Sequence, residues 1–308
     1  MKLADVIEHY LEYLEFEQRG SPSTLTLRRS HLQRFRTYME TQVGIGNFQE
    51  IDLHHLRNYL SCLRKEAGYQ PVSLNNLIST LRALFKFAVQ REYAAADLAR
   101  RIRKPKVAKK EIEHFTWEEV EKLFLAVPRG PMYIRDLTIL LLFYYAGLRR
   151  EELQQIKRSD LSEDLSELRV EKGKAEQSRL LPLHPFLQRV LALYLEDRKG
   201  CAVSSAFLFP GQGDRPLGAS RIYRIVRQCG ERAGIEKRVS PHIFRHTFAT
   251  HLHQQGVDIN RLAQLLGHTN IEKTALYTHI EEEELLAAVL KLQESRAAWG
   301  VTRRKQPG

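Results

Sequence analysis

The sequence predicts a mainly α protein with a small β-sheet, divided into two domains. Three observations lead there. The chain has 308 residues, about twice the usual length of one domain. Apolar residues recur at helical spacing over most of it. That period breaks at Glu167–Val170 and Arg179–Leu183, two short runs around a polar turn that read as strands.

The first hundred residues read as helices throughout. Leu3, Val6, Ile7, Tyr10, Leu11 and Leu14 form one stripe. Ser21-Pro-Ser-Thr24 breaks that helix and caps the next, which places Leu25, Leu32 and Phe35 inward. A third helix follows Asp52, with Leu53, Leu56, Leu60 and Leu63 on one face. A fourth starts near Ser73 and repeats Leu74, Leu77, Ile78, Leu81, Leu84, Phe85 and Ala88. Four amphipathic helices with short loops make a bundle. Such stripes specify a core and say nothing of function.

Residues 101–112 form a basic break, expected as an extended, solvated linker. A second domain is expected over 113–297, with a tail at 298–308. Thr116-Trp-Glu-Glu119 has the pattern of a capping box. A long apolar helix ends near Ala146-Gly147. After the two strands the helical period resumes at Leu187, and Phe207-Leu-Phe209 is a candidate third strand. Beyond residue 280, Leu285, Leu286, Val289 and Leu292 make a last apolar stripe behind an acidic first turn.

Composition narrows the function. Hydrophobic residues at 43% and charged residues at 28% describe an ordinary soluble chain. The run Leu137–Leu148 is shorter than the roughly 20 residues of a membrane helix. Asp5 and Glu8 leave no room for a leader's apolar core. Three cysteines without a CxxC argue against a disulfide scaffold or a zinc site and fit a reducing cytoplasm. No cofactor or metal is expected. The net charge is +11, and residues 1–110 hold 19 Lys+Arg against 11 Asp+Glu, a local +8. That concentration suits a polyanion lying on the first domain, although surplus charge also serves solubility.

Four polar clusters in the second domain can carry chemistry. In Gly147-Leu-Arg149-Arg-Glu-Glu152, glycine ends one helix and Arg149 opens the next, an arrangement that suits an anion. Alone, it reads rather as a surface arginine paired with Glu152 or Glu151. Lys172 and Lys174 sit at the hairpin tip, where charge is ordinarily only solvated. In Ser240-Pro-His242-Ile-Phe-Arg245, serine caps a helix, proline takes its first position, and His242 and Arg245 share a face. Phe244, Phe248 and Leu252 form its buried side. Last come Leu265-Leu-Gly-His268 and Ala275-Leu-Tyr277-Thr-His279, whose histidine and tyrosine would singly be core residues.

Together these clusters resemble the tyrosine recombinase (phage-integrase) family, most like its Xer-type site-specific recombinases. Arg149 stands in AGLRREEL, Lys174 in the hairpin, His242 and Arg245 in SPHIFRHTFATHL, His268 in LLGHTN and Tyr277 in ALYTHI. Six residues in order within 129 positions make the match specific, and it covers the whole chain. Counting back from Arg179-Leu-Leu-Pro-Leu183 selects Lys174 over Lys172. Arg150-Glu151 departs from the small or apolar residues common after the first arginine.

The resemblance implies a helical, SAM-like core-binding domain over 1–100 and a catalytic domain over 113–297 with a C-terminal docking helix. It implies strand exchange at a double-stranded DNA site through a 3′-phosphotyrosyl intermediate. Tyr277 would be the nucleophile, Arg149 and Arg245 the phosphate clamp, His242 the base, Lys174 the general acid and His268 a phosphate donor. Glu152 would orient Arg149 or simply lie on the surface. The assembly implied is a tetramer, of one chain or with a paralogue, and no membrane is involved. Candidate phosphate contacts are Arg28, Arg29, Arg34, Arg36, Arg82, Lys86, Arg101, Arg103, Lys104 and Lys106. Resolution of multimers and integration of an element both remain open. A type IB topoisomerase-like enzyme is the alternative, and a non-catalytic DNA-binding regulator is a third.

Overall fold

A computed structural model describes residues 1–18, 22–65, 67–107, 113–171, 178–199, 205–267 and 282–295. The chain divides into two compact units, Met1–Lys110 and Glu111–Gly308.

The first unit holds four helices: α1 (Leu3–Phe16), α2 (Pro22–Tyr38), α3 (Leu53–Lys65) and α4 (Pro71–Gln90). Each turns its apolar stripe inward. Leu32 and Phe35 of α2, Leu56 and Leu63 of α3 and Leu77, Leu81 and Leu84 of α4 are buried in one core. Pro71 occupies the first turn of α4, where its missing N–H costs no helical bond. A π-helical turn, Met39–Val43, extends α2 and stops at Gly44 in the left-handed region (φ 80°).

Part of the basic stretch is held to the first unit, while Arg101, Arg103, Lys104 and Lys106 stay exposed. A 3₁₀ turn, Leu98–Arg101, is capped by the Asp97 carboxylate. Ile102 is buried in the first unit's core, and its carbonyl accepts from Arg82. Asn75 donates to the Pro105 carbonyl at 3.1 Å. One apolar side chain and two backbone acceptors therefore hold the stretch to α4 as far as Pro105. Lys109 and Lys110 lie outside the described residues.

The second unit is built around α6 (Tyr133–Tyr145), whose every residue from Leu137 to Tyr145 is buried. A helix apolar all round must be enclosed. Here α5 (Trp117–Leu125), α8 (Pro185–Lys199), α9 (Ala219–Arg232) and α10 (Pro241–Gln254) surround it. The capping box on α5 forms as expected, with Thr116 and Glu119 each bonding the other's amide. Short α7 (Arg150–Gln155) leads to the hairpin of β1 (Glu167–Val170) and β2 (Arg179–Pro182). The strands are antiparallel, with Leu168 opposite Leu181 and Val170 opposite Arg179.

The expected third strand does not join this sheet. Phe207 makes an isolated bridge to Lys157, and the Leu208 amide donates to the Ile156 carbonyl. Pro210 follows and has no N–H to extend a ladder. The last elements are α11 (Ile259–Leu266) and α12 (Glu282–Val289). Leu285, Ala288, Val289 and Leu292 are buried in the second unit's own core, whereas Leu286 is 37% exposed. No helix among the described residues is long and apolar enough to cross a membrane.

Candidate active site

Four helix ends meet at one place. The chain leaves α6 through Gly147, held at φ 57°. A Cβ there would lie 2.6 Å from the Phe248 ring of α10, so glycine meets both a conformational and a spatial demand. That turn delivers Arg149 as the N-cap of α7. Pro241 starts α10 and sets His242 and Arg245 in its first turns. Asp258 caps α11, accepting from the amides of Asn260 and Arg261, and Gly267 ends it in the left-handed region.

Glu152 sits at the centre, its side chain 8% exposed. It accepts from the Arg149 amide at 2.7 Å and from Arg149 Nη1 at 2.8 Å. Arg179 grips it with two nitrogens, at 2.9 and 3.0 Å. Arg245 Nη1 lies 3.6 Å away. Burial alone would raise the Glu152 carboxyl. The bonds and charge of Arg179, the Arg149 amide and the charge of Arg245 outweigh it and hold the group at about 2. Three guanidiniums around one carboxylate leave a surplus of positive charge at neutral pH.

Arg245 is buried. Its Nη1 donates to the Gly147 carbonyl at 2.7 Å and its Nη2 to the Leu266 carbonyl. The Leu266 carbonyl is the last of α11, and such carbonyls lack helical partners and attract cations; the Gly147 carbonyl lies just past the end of α6. Burial, and then the charge of Arg149, lower the Arg245 guanidinium, but only to about 10, so it stays charged. Arg149 is the open fork, with 35% of its side chain exposed. His242 is exposed on α10. Such a pocket of fixed donors suits a dianionic or developing phosphate centre.

The phage integrase family model matches residues 113–284, and the family's N-terminal SAM-like domain matches residues 7–92. Tyrosine recombinase XerA of Thermococcus onnurineus is 36% identical over 286 residues, covering 92% of this chain and 94% of its own. Tyrosine recombinase XerD of Staphylococcus haemolyticus is 33% identical, covering 91% and 95%.

The chain belongs to the tyrosine recombinases of the phage integrase family.

Its fold is shared with solved recombinases. A lambda integrase (75–356) dimer bound to a COC′ core site matches with a TM-score of 0.68 at 20% identity, covering 92% of this chain and 100% of that one. XerH bound to difH in a pre-cleavage complex matches with a TM-score of 0.68 at 21% identity, covering 90% and 83%.

In this tyrosine-type site-specific recombinase, the structure brings Arg149 and Arg245 together around Glu152 and sets His242 on the same helix as Arg245. Lys174, His268 and Tyr277 lie outside the described residues, as does Lys172. Of the two readings of Glu152, the structure takes the partner of Arg149: it is a buried hub, not a surface carboxylate. One member of the cluster, Arg179, escaped the sequence. Arg179 had a signal: strand alternation puts it on the same face as buried Leu181.

The candidate phosphate contacts of the first unit fall into two groups. Arg28 donates to the Tyr10 hydroxyl, Arg34 to the Tyr69 hydroxyl and Arg36 to Glu40, while Arg82 holds the Ile102 carbonyl. Arg29, Lys86, Arg101, Arg103, Lys104 and Lys106 are exposed. Arg103 and Lys104 line a groove of about 490 Å³ with Leu60, Leu74 and Ile78. Arg64 and Lys65 line it too, and charge clustering in the sequence did not single them out.

Proposed function

We propose that this recombinase cuts and rejoins a double-stranded DNA site through a 3′-phosphotyrosyl intermediate. The observation that carries the reading is the pair Arg149 and Arg245, held at converging helix ends with charge in excess of Glu152. A phosphodiester gains negative charge as it becomes pentacoordinate, and two fixed guanidiniums favour that state over the ground state. The Tyr277 oxygen attacks phosphorus and the bond to the 5′ oxygen breaks. His242 takes the phenol's proton, and Lys174 gives one to the leaving oxygen. His268 donates to a non-bridging oxygen. The new ester conserves the phosphodiester's energy, so a 5′-hydroxyl from a partner strand reverses the step without ATP.

The exposed cations of the first unit hold the duplex backbone. The working assembly is a tetramer on two duplexes, of this chain alone or with a paralogue. Its task is resolution of chromosome, plasmid or transposon multimers, or integration and excision of an element.

The test uses a nicked duplex carrying the protein's own site. Native protein should trap a covalent 3′ adduct. Tyr277→Phe should bind with near-native affinity and trap none. An adduct with Tyr277→Phe would overturn the nucleophile assignment. A supercoiled plasmid with two sites separates the alternatives: exchanged products support recombination, whereas relaxation alone marks a topoisomerase-like activity.

A further inference from the structure

We infer that Arg179 is a positioning residue of the recombination site, fixing Glu152 so that Arg149 and Arg245 meet the scissile phosphate in one geometry. The inference rests on the reading of those two arginines as the phosphate clamp.

The Arg179 side chain is 9% exposed, and its three nitrogens face protein acceptors. Nη1 and Nη2 form a fork on the two oxygens of Glu152. Nε donates to the Leu265 carbonyl at 3.1 Å. So placed, Arg179 acts on phosphate only through others.

Its position joins three elements. It begins β2, five positions after Lys174 in the sequence. Glu152 places it against α7, next to Arg149. Leu265 places it against the end of α11, three residues before His268. Arg245 binds the adjacent carbonyl, that of Leu266. Two arginines thus hold consecutive carbonyls of one helix end and share one carboxylate.

The charge balance gives Arg179 a second effect. Glu152 accepts from both the amide and the guanidinium of Arg149. Without Arg179 the carboxylate would have only Arg149 and the more distant Arg245 to neutralise it. Arg149 would be drawn further onto Glu152 and offer less charge to phosphate. A bidentate fork supplies direction as well as charge, which a lysine's point charge does not.

Single-turnover cleavage of nicked DNA tests this. Two substrates are compared, one with an ordinary scissile phosphate and one with a neutral methylphosphonate, which needs less cationic help. Arg179→Met should cut the phosphate about 100-fold more slowly, the scale of a misplaced reacting group. Its DNA affinity should stay within about threefold, because it touches no DNA backbone. On methylphosphonate the gap to native protein should shrink to about tenfold or less, because that substrate asks less of the clamp. Arg179→Lys should fall between native and Arg179→Met on phosphate. The double variant Glu152→Gln/Arg179→Met should be no slower than Arg179→Met, since one residue acts through the other.

A native rate in Arg179→Met overturns the inference, as does an equal defect on both substrates or additive losses in the double variant. Should Arg179→Met not fold, Arg179→Lys carries the same comparison. If native protein forms no adduct on nicked DNA, the proposed function falls and this inference with it. If native protein forms the adduct and Arg179→Met matches it, only this inference falls.

Discussion

The hydroxyl of Tyr145, on the central helix of the second unit, donates to the carbonyl of Gln293 at 2.6 Å. Lys291 reaches back to the Gln255 carbonyl and Arg189 to Glu294. In the single chain the C-terminal segment is therefore fastened to its own unit, with Leu292 4% exposed. Leu292→Ala should destabilise the protein by about 2–5 kcal/mol, and Leu286→Ala by about 1 kcal/mol or less. Urea unfolding measures both. Loss that appears only at high protein concentration would mean that the stripe belongs to a neighbouring subunit.

Gly147→Ala should be far more damaging than its size suggests. The left-handed conformation costs about 1–3 kcal/mol for a residue with a Cβ. The added carbon also meets the Phe248 ring at 2.6 Å. The urea midpoint should drop, and cleavage should drop with it because the same turn carries Arg149.

Glu152 makes stability fall in acid. Its folded-state carboxyl is held at about 2, below the ordinary value of about 4.3. A depressed carboxyl contributes fully above the unfolded value and loses its contribution as pH drops towards the folded one. Native protein should lose its advantage over Glu152→Gln between about pH 5 and pH 2. Urea midpoints of both proteins at pH 7, 5, 4 and 3 check this. A constant gap would show that Glu152 is not held ionised by its arginines.

Lys174→Ala should cut ordinary DNA slowly and recover on a substrate whose bridging 5′ oxygen is sulfur. A thiolate leaves without a proton, so a general acid becomes dispensable. Arg149→Ala should not recover, since its proposed task is on the non-bridging oxygens. Equal rescue of the two would remove Lys174 from that role, and rescue of Lys172→Ala instead would transfer it.

Binding should weaken steeply with salt. Removing one cation that pairs with a phosphate should flatten the slope of log K against log salt by roughly one. Arg103→Ala and Lys104→Ala are the cleanest tests, because both are exposed beside the groove that also holds Arg64 and Lys65. Unchanged slopes would place the duplex elsewhere.

The helices were legible because leucine spacing records burial directly, as at Leu77 and Leu81. Turns were legible where one residue has one physical use, such as Gly147 or Pro241. The third strand misled because Phe207-Leu-Phe209 has a strand's residue types, while its partner lies in the loop after α7. Arg179 was hidden for a related reason: a local pattern shows which way a side chain faces, not that a carboxylate 27 residues away awaits it. The C-terminal stripe could be read, but not the surface covering it. Lys174, His268 and Tyr277 became readable only through resemblance, since a lone lysine, histidine or tyrosine carries no pattern of its own.

Arg245 is tied to two main-chain carbonyls, so its guanidinium does not travel. On the proposed reading, a phosphate gripped there would have to arrive at a fixed point, and the duplex would make the adjustment. Bending or untwisting a duplex costs elastic energy that varies with its base steps. Yielding steps beside the cut should react faster than stiff ones, even where no side chain touches a base. The stillness of one arginine would then become a filter on the mechanics of DNA.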